Sequence, residues 1–302
     1  MNKEELLQKF ADLPDTYVCS DELMSKHTSF KVGGPADILV LPKSKDAVAN
    51  VLLLSKQCGI PLTVLGNCSN ILVKDKGIRG VVLKIGGGLT DIVVEKDVVK
   101  CGAGVLLSAT ANAALSEGLT GLEFAAGIPG SVGGGVFMNA GAYDGELKDV
   151  VSEVVSIDFA GKRTTWTNEQ MQFAYRKSIF SDNGQIILSA AFKLKTDCQE
   201  QIKAKMDDFS QRRRSKQPLE LPSAGSTFKR PVGYFAGKLI QEAGLCGLMV
   251  GGAQVSEKHA GFVVNKKNAT AADILKLIEM VQEKVYKCAG VHLQPEVRII
   301  GE

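Results

Sequence analysis

Between residues 124 and 143 the chain runs twenty residues without a charge, FAAGIPGSVGGGVFMNAGAY. Eight glycines fall between Gly121 and Gly145, with Pro129, Ser131 and Asn139 among them. Glycine tolerates positive φ and lets backbone N–H groups come close to a ligand. A succession of such N–H groups makes a concave anion site, strongest where a helix begins just behind it. The stretch has the make-up of a phosphate cradle. Twenty uncharged residues are also long enough to span a membrane, but the triple glycine 133–135, Pro129 and Asn139 interrupt the run and leave no aliphatic block. A tightly turning buried loop stays open beside the phosphate reading. A second glycine-led turn, GNCSN (66–70), follows the apolar run 61–65. The ends of strands are where α/β folds place ligands.

The elements around these turns alternate. DILVLP (37–42) reads as a strand, and Ser44 can cap a helix whose apolar face holds Val48, Val51 and Leu52 and which stops at Gly59 before Pro61. PLTVLG (61–66) is the next strand, and VVLKI, DIVV and VVK follow as short strands between residues 80 and 100. A helix over 106–117 closes at Gly118. The CGAGVLL stretch (101–107) starts like a dinucleotide fingerprint, but Leu107 stands where the third glycine belongs, so it reads as a strand-to-helix turn. Residues 151–159 alternate with Val155, Ile157 and Phe159 on one face, and 186–195 is another strand. Residues 197–216 read as a polar helix ending in Arg212, Arg213, Arg214 and Lys216, a run suited to a solvated helix end. PLELPS (218–223) reads as a hinge. Beyond it come a helix over 233–244, a strand pair around Ala253 and Phe262, and a long helix with a Thr270/Asp273 capping box and a stripe of Ile274, Ile278, Val281 and Val285. PEVRIIG (295–301) is the last strand.

Composition narrows the function. With 302 residues, 45% hydrophobic and 23% charged, the chain has the balance of a globular protein of two or three domains. A net charge of +3 does not suit nucleic acid as a main partner. The first residues, with Glu4, Glu5 and Asp12, read as an amphipathic surface helix rather than a signal peptide. Seven scattered cysteines, never in a C-x-x-C pair, suit free thiols in a reducing cytoplasm. Three distant histidines argue against a zinc site, and no metal is expected.

Taken in order, the motifs resemble one family. They are HTSFKVGGPAD (27–37), LGNCSN (65–70), GLEFAAGIPGSVGGGVFMNAGAY (121–143), YRKS (175–178), AGSTFKRP (224–231), AGKLIQEAGL (236–245), VSEKHAGFVVN (255–265) and PEVRIIG (295–301). This series is similar to the UDP-N-acetylenolpyruvoylglucosamine reductases, flavoenzymes that complete UDP-N-acetylmuramate in bacterial peptidoglycan synthesis. The short connection after Tyr175 resembles the compact type without a substrate-covering loop. The resemblance implies an FAD-binding fold of the vanillyl-alcohol-oxidase type in two α/β lobes, followed by an α+β substrate-binding domain. The expected boundaries are 1–80 for lobe 1, joined by the strand 294–302, then 81–200 for lobe 2 and 201–293 for the substrate domain. It also implies a cytoplasmic protein that takes NADPH as hydride donor; a monomer is the default expectation, with neither nucleic acid nor membrane as a partner.

The same resemblance assigns residues. FAD would be held by Gly66, Asn67, Cys68, Ser69, Asn70 and Ile71 of the first turn. The second region would supply Gly127, Ile128, Pro129, Gly130, Ser131, Gly133, Gly134, Asn139, Ala140 and Gly141. Ile187 and Arg298 would touch the flavin. The commoner family form of the first turn is Gly-x-Gly-Ser-Asn, and Cys68 replaces its second glycine, where a Cβ would crowd a positive-φ backbone. The implied reaction reduces the enolpyruvyl ether of UDP-N-acetylglucosamine by hydride addition at C3 and protonation at C2. Negative charge then develops on C2 and its carboxylate, so the site needs a cation and an acid there. Ser226 would donate the proton, Arg176 would hold the carboxylate, and Glu296 would hydrogen-bond the enol in its protonated form, which burial and a neighbouring like charge favour. Tyr175, Lys216, Arg230 and His259 would contact substrate, with Lys216 and Arg230 at the diphosphate. Another FAD oxidase of this fold would need the turns but not the Ser226, Arg176 and Glu296 set. A non-catalytic flavin-binding protein would tolerate loss of Ser226.

Overall fold

The computed structural model describes residues 2–302. The chain forms two compact units. The first holds residues up to Ser20, Ile38–Asn67 and Gly80–Arg213; the second holds Asp21–Asp37, Cys68–Arg79 and Arg214–Glu302. Seven α-helices follow in order: α1 Lys3–Ala11, α2 Lys45–Gln57, α3 Leu107–Ser116, α4 Val132–Met138, α5 Gln199–Lys216, α6 Ala236–Glu242 and α7 Ala271–Ala289. None is long and apolar enough to cross a membrane.

In the first unit, the Ser44 hydroxyl accepts the Ala47 N–H at 3.1 Å and starts α2. Strand Leu62–Leu65 then runs parallel to Ile78–Lys84, with Leu62 opposite Val81. A five-stranded antiparallel sheet follows in the order Arg163–Thr167, Val151–Ile157, Ile186–Lys193, Val98–Gly102, Ile92–Glu95. One apolar core joins Val48, Val51 and Leu52 of α2 to Leu107 and Ala111 of α3, Val132 and Val136 of α4, and Leu188 and Phe192 of the sheet. The face expected for the strand, Val155, Ile157 and Phe159, is only partly the face observed: Ile157 is buried in the core, Val155 only half-buried, and Phe159 lies beyond the strand and exposed. Register shifts fall between Val151 and Glu153 and between Val155 and Ser156. Such irregularities break the alternation, and Val154 and Ser156 are buried as well.

In the second unit, Met249–Val250, Ala253–Val255 and Val263–Asn265 make a small antiparallel sheet. Arg298–Ile300 pairs in parallel with Ile71–Val73, Arg298 opposite Ile71. Helix α6 is shorter than expected, because Gly233 at φ +78° prevents a helical start there and Phe235 is the N-cap. Helix α7 shows the expected stripe: Ile274, Ile278, Val281 and Val285 are buried with Leu277. Each such side chain contributes about 1.5–3 kcal/mol on leaving water. Its start is doubly satisfied. Thr270 and Asp273 form the capping box, and the Asp75 carboxylate accepts the N–H groups of Ala271 and Ala272 at 2.8 and 2.9 Å.

Asp75 therefore neutralises two of the four orphan donors of α7 from a loop almost two hundred residues away in sequence. We expect Asp75→Ala to lower stability by about 1–2 kcal/mol, read by urea unfolding. An unchanged midpoint would mean that Thr270 and Asp273 alone suffice.

Candidate active site

The two glycine-led segments meet in the first unit. A Cβ on Gly66 would lie 2.7 Å from the Ser131 Oγ and 3.6 Å from the Cα and N of Gly134. The Asn67 side-chain amide donates to the Pro129 carbonyl at 2.7 Å, fixing one segment on the other. Ser131 precedes α4, and its carbonyl accepts the Gly135 N–H at 2.8 Å. Its hydroxyl is buried with no hydrogen-bond partner. A hydroxyl taken out of water without a partner costs about 1–3 kcal/mol. A cradle of backbone N–H groups around an orphaned donor fits the pyrophosphate of FAD. The 101–107 turn is the brace of this cradle rather than part of it: Ala103, Val105 and Leu107 exchange backbone hydrogen bonds with Gly133, Val132 and Gly130 at 2.7–2.9 Å.

Asn139 ends α4 in the left-handed conformation, φ +44°. Its two amide hydrogens go to Glu146 and to the Ala174 carbonyl, and its side-chain oxygen accepts the Lys148 N–H. Any FAD contact it makes comes from its carbonyl oxygens or backbone. The Ala174 bond carries the next feature. Ala174 and Lys177 exchange N–H···O bonds of 3.0 and 3.2 Å, closing a two-residue turn with Tyr175 and Arg176 at the tip. Ser178, just after it, donates to the Phe137 carbonyl of α4 at 2.9 Å. Arg176 has φ +54° in the tip position that glycine usually takes in a type II turn. Holding a non-glycine residue there costs about 1–2 kcal/mol. Its guanidinium lies 5.0 Å from the centre of the exposed Tyr175 ring, and donates a long 3.4 Å bond to the Gly141 carbonyl. Ile187 sits on the central strand within the apolar core.

Ser226 and Glu296 both lie in the second unit, on two segments whose backbones pair. Residues 227–229 run antiparallel to 294–296: the Glu296 N–H donates to Thr227 O and the Lys229 N–H to Gln294 O, both at 2.8 Å. Thr227 is buried, and its hydroxyl accepts the Val263 N–H. Gly225, at φ +74° in open space, turns the chain so that Ser226 faces outward. Beside Glu296 lies the rest of the first turn. The Asn70 amide donates to the Glu296 carbonyl at 3.2 Å, and the Arg298 N–H donates to Asn70 O at 3.0 Å. Ile71 pairs with the exposed Arg298. Cys68 has φ +55° and is buried, so the crowding expected from its Cβ is present and tolerated.

The remaining expected substrate residues also lie in the second unit. The Ser256 hydroxyl accepts the N–H groups of Lys258 and His259 at 3.2 Å and shapes the turn. Lys258 reaches the Arg214 carbonyl at 2.8 Å, anchoring the end of α5 and with it Lys216. His259 Nδ1 accepts the Gly261 N–H at 3.2 Å, which leaves Nε2 as the protonated nitrogen of the neutral ring. Burial holds His259 below the ordinary histidine range; a backbone hydrogen bond acts the other way, and the charge of Lys216 adds to the lowering. Arg230 stacks on Phe235 at 4.0 Å, within a loop that also exposes Val232 and Tyr234.

Two scaffold groups escaped the sequence reading. Glu123 is buried, and burial alone would raise its pKa; the Thr120 hydroxyl, backbone N–H groups of Glu123 and Gly121, and Lys205 outweigh that and lower it. Asp75 left no local signal, since its partner is distant. Glu123 did leave one, as the sole charge inside GLEFAAG.

Comparison with known proteins agrees with this geometry. The FAD binding domain profile matches residues 36–166, and that of the UDP-N-acetylenolpyruvoylglucosamine reductase C-terminal domain matches 217–300. The chain is 50% identical to the UDP-N-acetylenolpyruvoylglucosamine reductase of Agathobacter rectalis over the whole of both chains. It is 53% identical to that of Clostridioides difficile over 93% of each. The crystal structure of the Thermus caldophilus reductase superposes with a TM-score of 0.82 at 34% identity, covering 95% of this chain and all of that one. The expected fold, an FAD-binding α/β part followed by an α+β part, is the fold found.

Two outcomes follow from the site. Arg176→Gly relieves the backbone strain, partly offset by the freer unfolded chain, so melting temperature should hold or rise by up to about 1 kcal/mol equivalent. Turnover should nonetheless fall roughly 10²–10³-fold with the lost cation. A glycine variant less stable than Arg176→Ala would show that φ is not the constraint. For His259, the unfolded ring titrates near 6.5 and the folded ring lower. The unfolded state thus binds more protons in that window, and stability is full above about pH 6.5 and lost as pH falls through the folded value. Urea unfolding of His259→Gln across about pH 5–8 should show a flatter acid slope than the parent.

Proposed function

The chain belongs to the UDP-N-acetylenolpyruvoylglucosamine reductase family, and from that we propose that it reduces UDP-N-acetylglucosamine enolpyruvate to UDP-N-acetylmuramate, with NADPH as donor. The observation that carries the reading is the meeting of Gly66 and Gly134 around the orphaned Ser131 hydroxyl, a backbone cradle fitted to the FAD pyrophosphate. FAD held there would supply the redox chemistry, carrying hydride between NADPH and the enolpyruvyl group.

The protein's own residues supply binding, charge and a proton. Gly66–Ile71 and the 127–141 segment hold the cofactor, with Ile187 and Arg298 at the flavin. Ser226 gives its proton to C2. A serine hydroxyl is a weak acid, so its surroundings must orient it; its exposed place just before the backbone pairing of 227–229 with 294–296 supports this role. Arg176 offers its planar fork to the substrate carboxylate as charge develops there. The strained turn that presents it supports a chemical rather than structural need. Glu296 hydrogen-bonds the enol. Tyr175 lines the pocket shared by nicotinamide and substrate. Lys216 and Arg230 face the diphosphate, and neutral His259 donates from Nε2.

The same reading assigns residues 1–80 with 294–302 to one FAD-binding lobe, 81–200 to the second, and 201–293 to the substrate domain. The parallel pairing of Arg298–Ile300 with Ile71–Val73 supports joining the last strand to the first segment. We further assign the protein as a cytoplasmic monomer; seven free cysteines, three of them exposed, suit that reducing compartment.

One anaerobic titration tests the whole reading. NADPH should bleach the flavin band, and UDP-N-acetylglucosamine enolpyruvate should restore it. In Ser226→Ala the bleaching should proceed as before while recovery slows by about 10²–10⁴-fold. Normal recovery in that variant would remove Ser226 as the proton donor; bleaching without recovery in the parent would reassign the substrate.

A further inference from the structure

Helix α5 looks polar in sequence, yet Ile202, Met206, Phe209 and Arg213 recur at spacings that place them on one face. Ile202 is buried, and Met206 and Phe209 pack on the core of the first unit. Phe209 stacks on Tyr143 at 4.6 Å. Arg213 continues this inward face where a cation would be expected to turn to solvent. Its guanidinium covers Gly127: a Cβ there would lie 3.0 Å from Nη1 and 3.2 Å from both Cζ and Nε. Near-equal distances to three atoms of the plane mean that the plane lies face-on. Gly127 is absent from the positive-φ residues. Its missing side chain therefore serves the close approach of Arg213, not the path of the backbone.

The Arg213 Nε is buried without a hydrogen-bond partner. Among the described residues three buried side-chain atoms share that state: Arg213 Nε, Ser131 Oγ and Asn183 Nδ2. Two of the three thus flank a single five-residue stretch, Gly127 at one end and Ser131 at the other. An unpaired donor on a charged group is costlier than a neutral one. Two donors orphaned on the cofactor loop share a natural explanation, an anionic acceptor that both address.

We propose that Arg213 is a ligand of FAD, donating to an anionic oxygen of the cofactor, with Gly127 as the residue that admits it. Two anionic parts of FAD offer such oxygens, the pyrophosphate and the N1–C2=O edge of the reduced flavin. The inference rests on FAD occupancy, which the flavin band of the parent protein tests by itself.

Dilution of the holoenzyme, followed by flavin fluorescence, gives the FAD dissociation constant, and spectroelectrochemistry gives the midpoint potential. Arg213→Met should raise the dissociation constant about 10- to 100-fold, or lower the midpoint potential, or both. Weaker binding at unchanged potential assigns the pyrophosphate; a lowered potential assigns the flavin edge. Arg213→Lys keeps the charge without the planar fork and should fall between parent and Met. Gly127→Ala, with Arg213 intact, should move the same readings in the same direction by pushing the guanidinium out. A parent-like dissociation constant and potential in Arg213→Met, at any melting temperature, would reduce Arg213 to a buttress and overturn the proposal. Should that variant fail to fold, parent-like values in Gly127→Ala would overturn it instead.

Discussion

The approach of one bare backbone to another, Gly66 to Gly134 across the Ser131 hydroxyl, is the contact on which the first unit depends. A Cβ on Gly66 would press on the Ser131 hydroxyl while standing at ordinary van der Waals distance from Gly134, and the contact places two chain segments more than sixty residues apart within hydrogen-bond reach through Asn67 and Pro129. Such a contact has little apolar area of its own to stabilise it. It must be imposed by what surrounds it. The 101–107 turn imposes it from one side with three backbone hydrogen bonds. Gly86 does so from another, its Cα so close to Gly66 that an added Cβ would lie 2.7 Å from the Gly66 carbonyl. Leu107 and Leu147 close on Gly135 from beneath. The apolar core under α3 and α4 then becomes the foundation of a polar cradle, because side chains that cannot relax transmit position.

Three side chains around this scaffold are held at a cost in backbone strain. Arg176, Cys68 and Asn139 all adopt positive φ without being glycine. Strain of this kind persists only where neighbouring contacts over-determine it, and the contacts are identifiable. The Ala174–Lys177 bond pair closes the turn under Arg176, and Asn139 and Ser178 tie that turn to α4. Asn139 thus acts twice, ending the helix that follows the cradle and holding the hairpin that presents Arg176. The glycine-rich segment and the turn that carries Arg176 are linked through one buried amide.

The sequence made much of this legible, for physical reasons that differ by element. Helix α7 announced itself because its cap and stripe are local in sequence, and the glycine region because its composition has few structural uses. The face of Val151–Ile157 was only partly legible: Ile157 is buried as expected, but Val154 and Ser156 are buried too, since a bulge breaks the alternation and leaves no mark in the hydrophobic pattern. The α6 start was placed early because Gly233 alone, without its φ, reads as compatible with a helix. Arg213 was hidden for a further reason. A run of three arginines at a helix end has an adequate explanation in solvation, and only the i, i+4, i+7, i+11 spacing from Ile202 separates the inward one from its neighbours. The pairing of the segment 227–229, just after Ser226, with 294–296, which carries Glu296, is set by backbone hydrogen bonds that no pattern of side chains records.

Glycine identity alone therefore does not reveal what a glycine does here. Gly225 has positive φ and open space around it, so its function is conformational. Gly66 and Gly127 have ordinary φ and crowded surroundings, so theirs is proximity, to the Ser131 hydroxyl in one case and to a guanidinium in the other. Cys68 completes the argument from the opposite side. It occupies a conformation that favours glycine, at a cost of about 1–2 kcal/mol, yet its side chain is buried, and burial of apolar surface at roughly 25 cal/mol per Å² returns a comparable amount. A left-handed backbone can be met by a small buried side chain. A backbone that must touch another backbone cannot, as at Gly86, where an added Cβ would lie 2.7 Å from the Gly66 carbonyl oxygen.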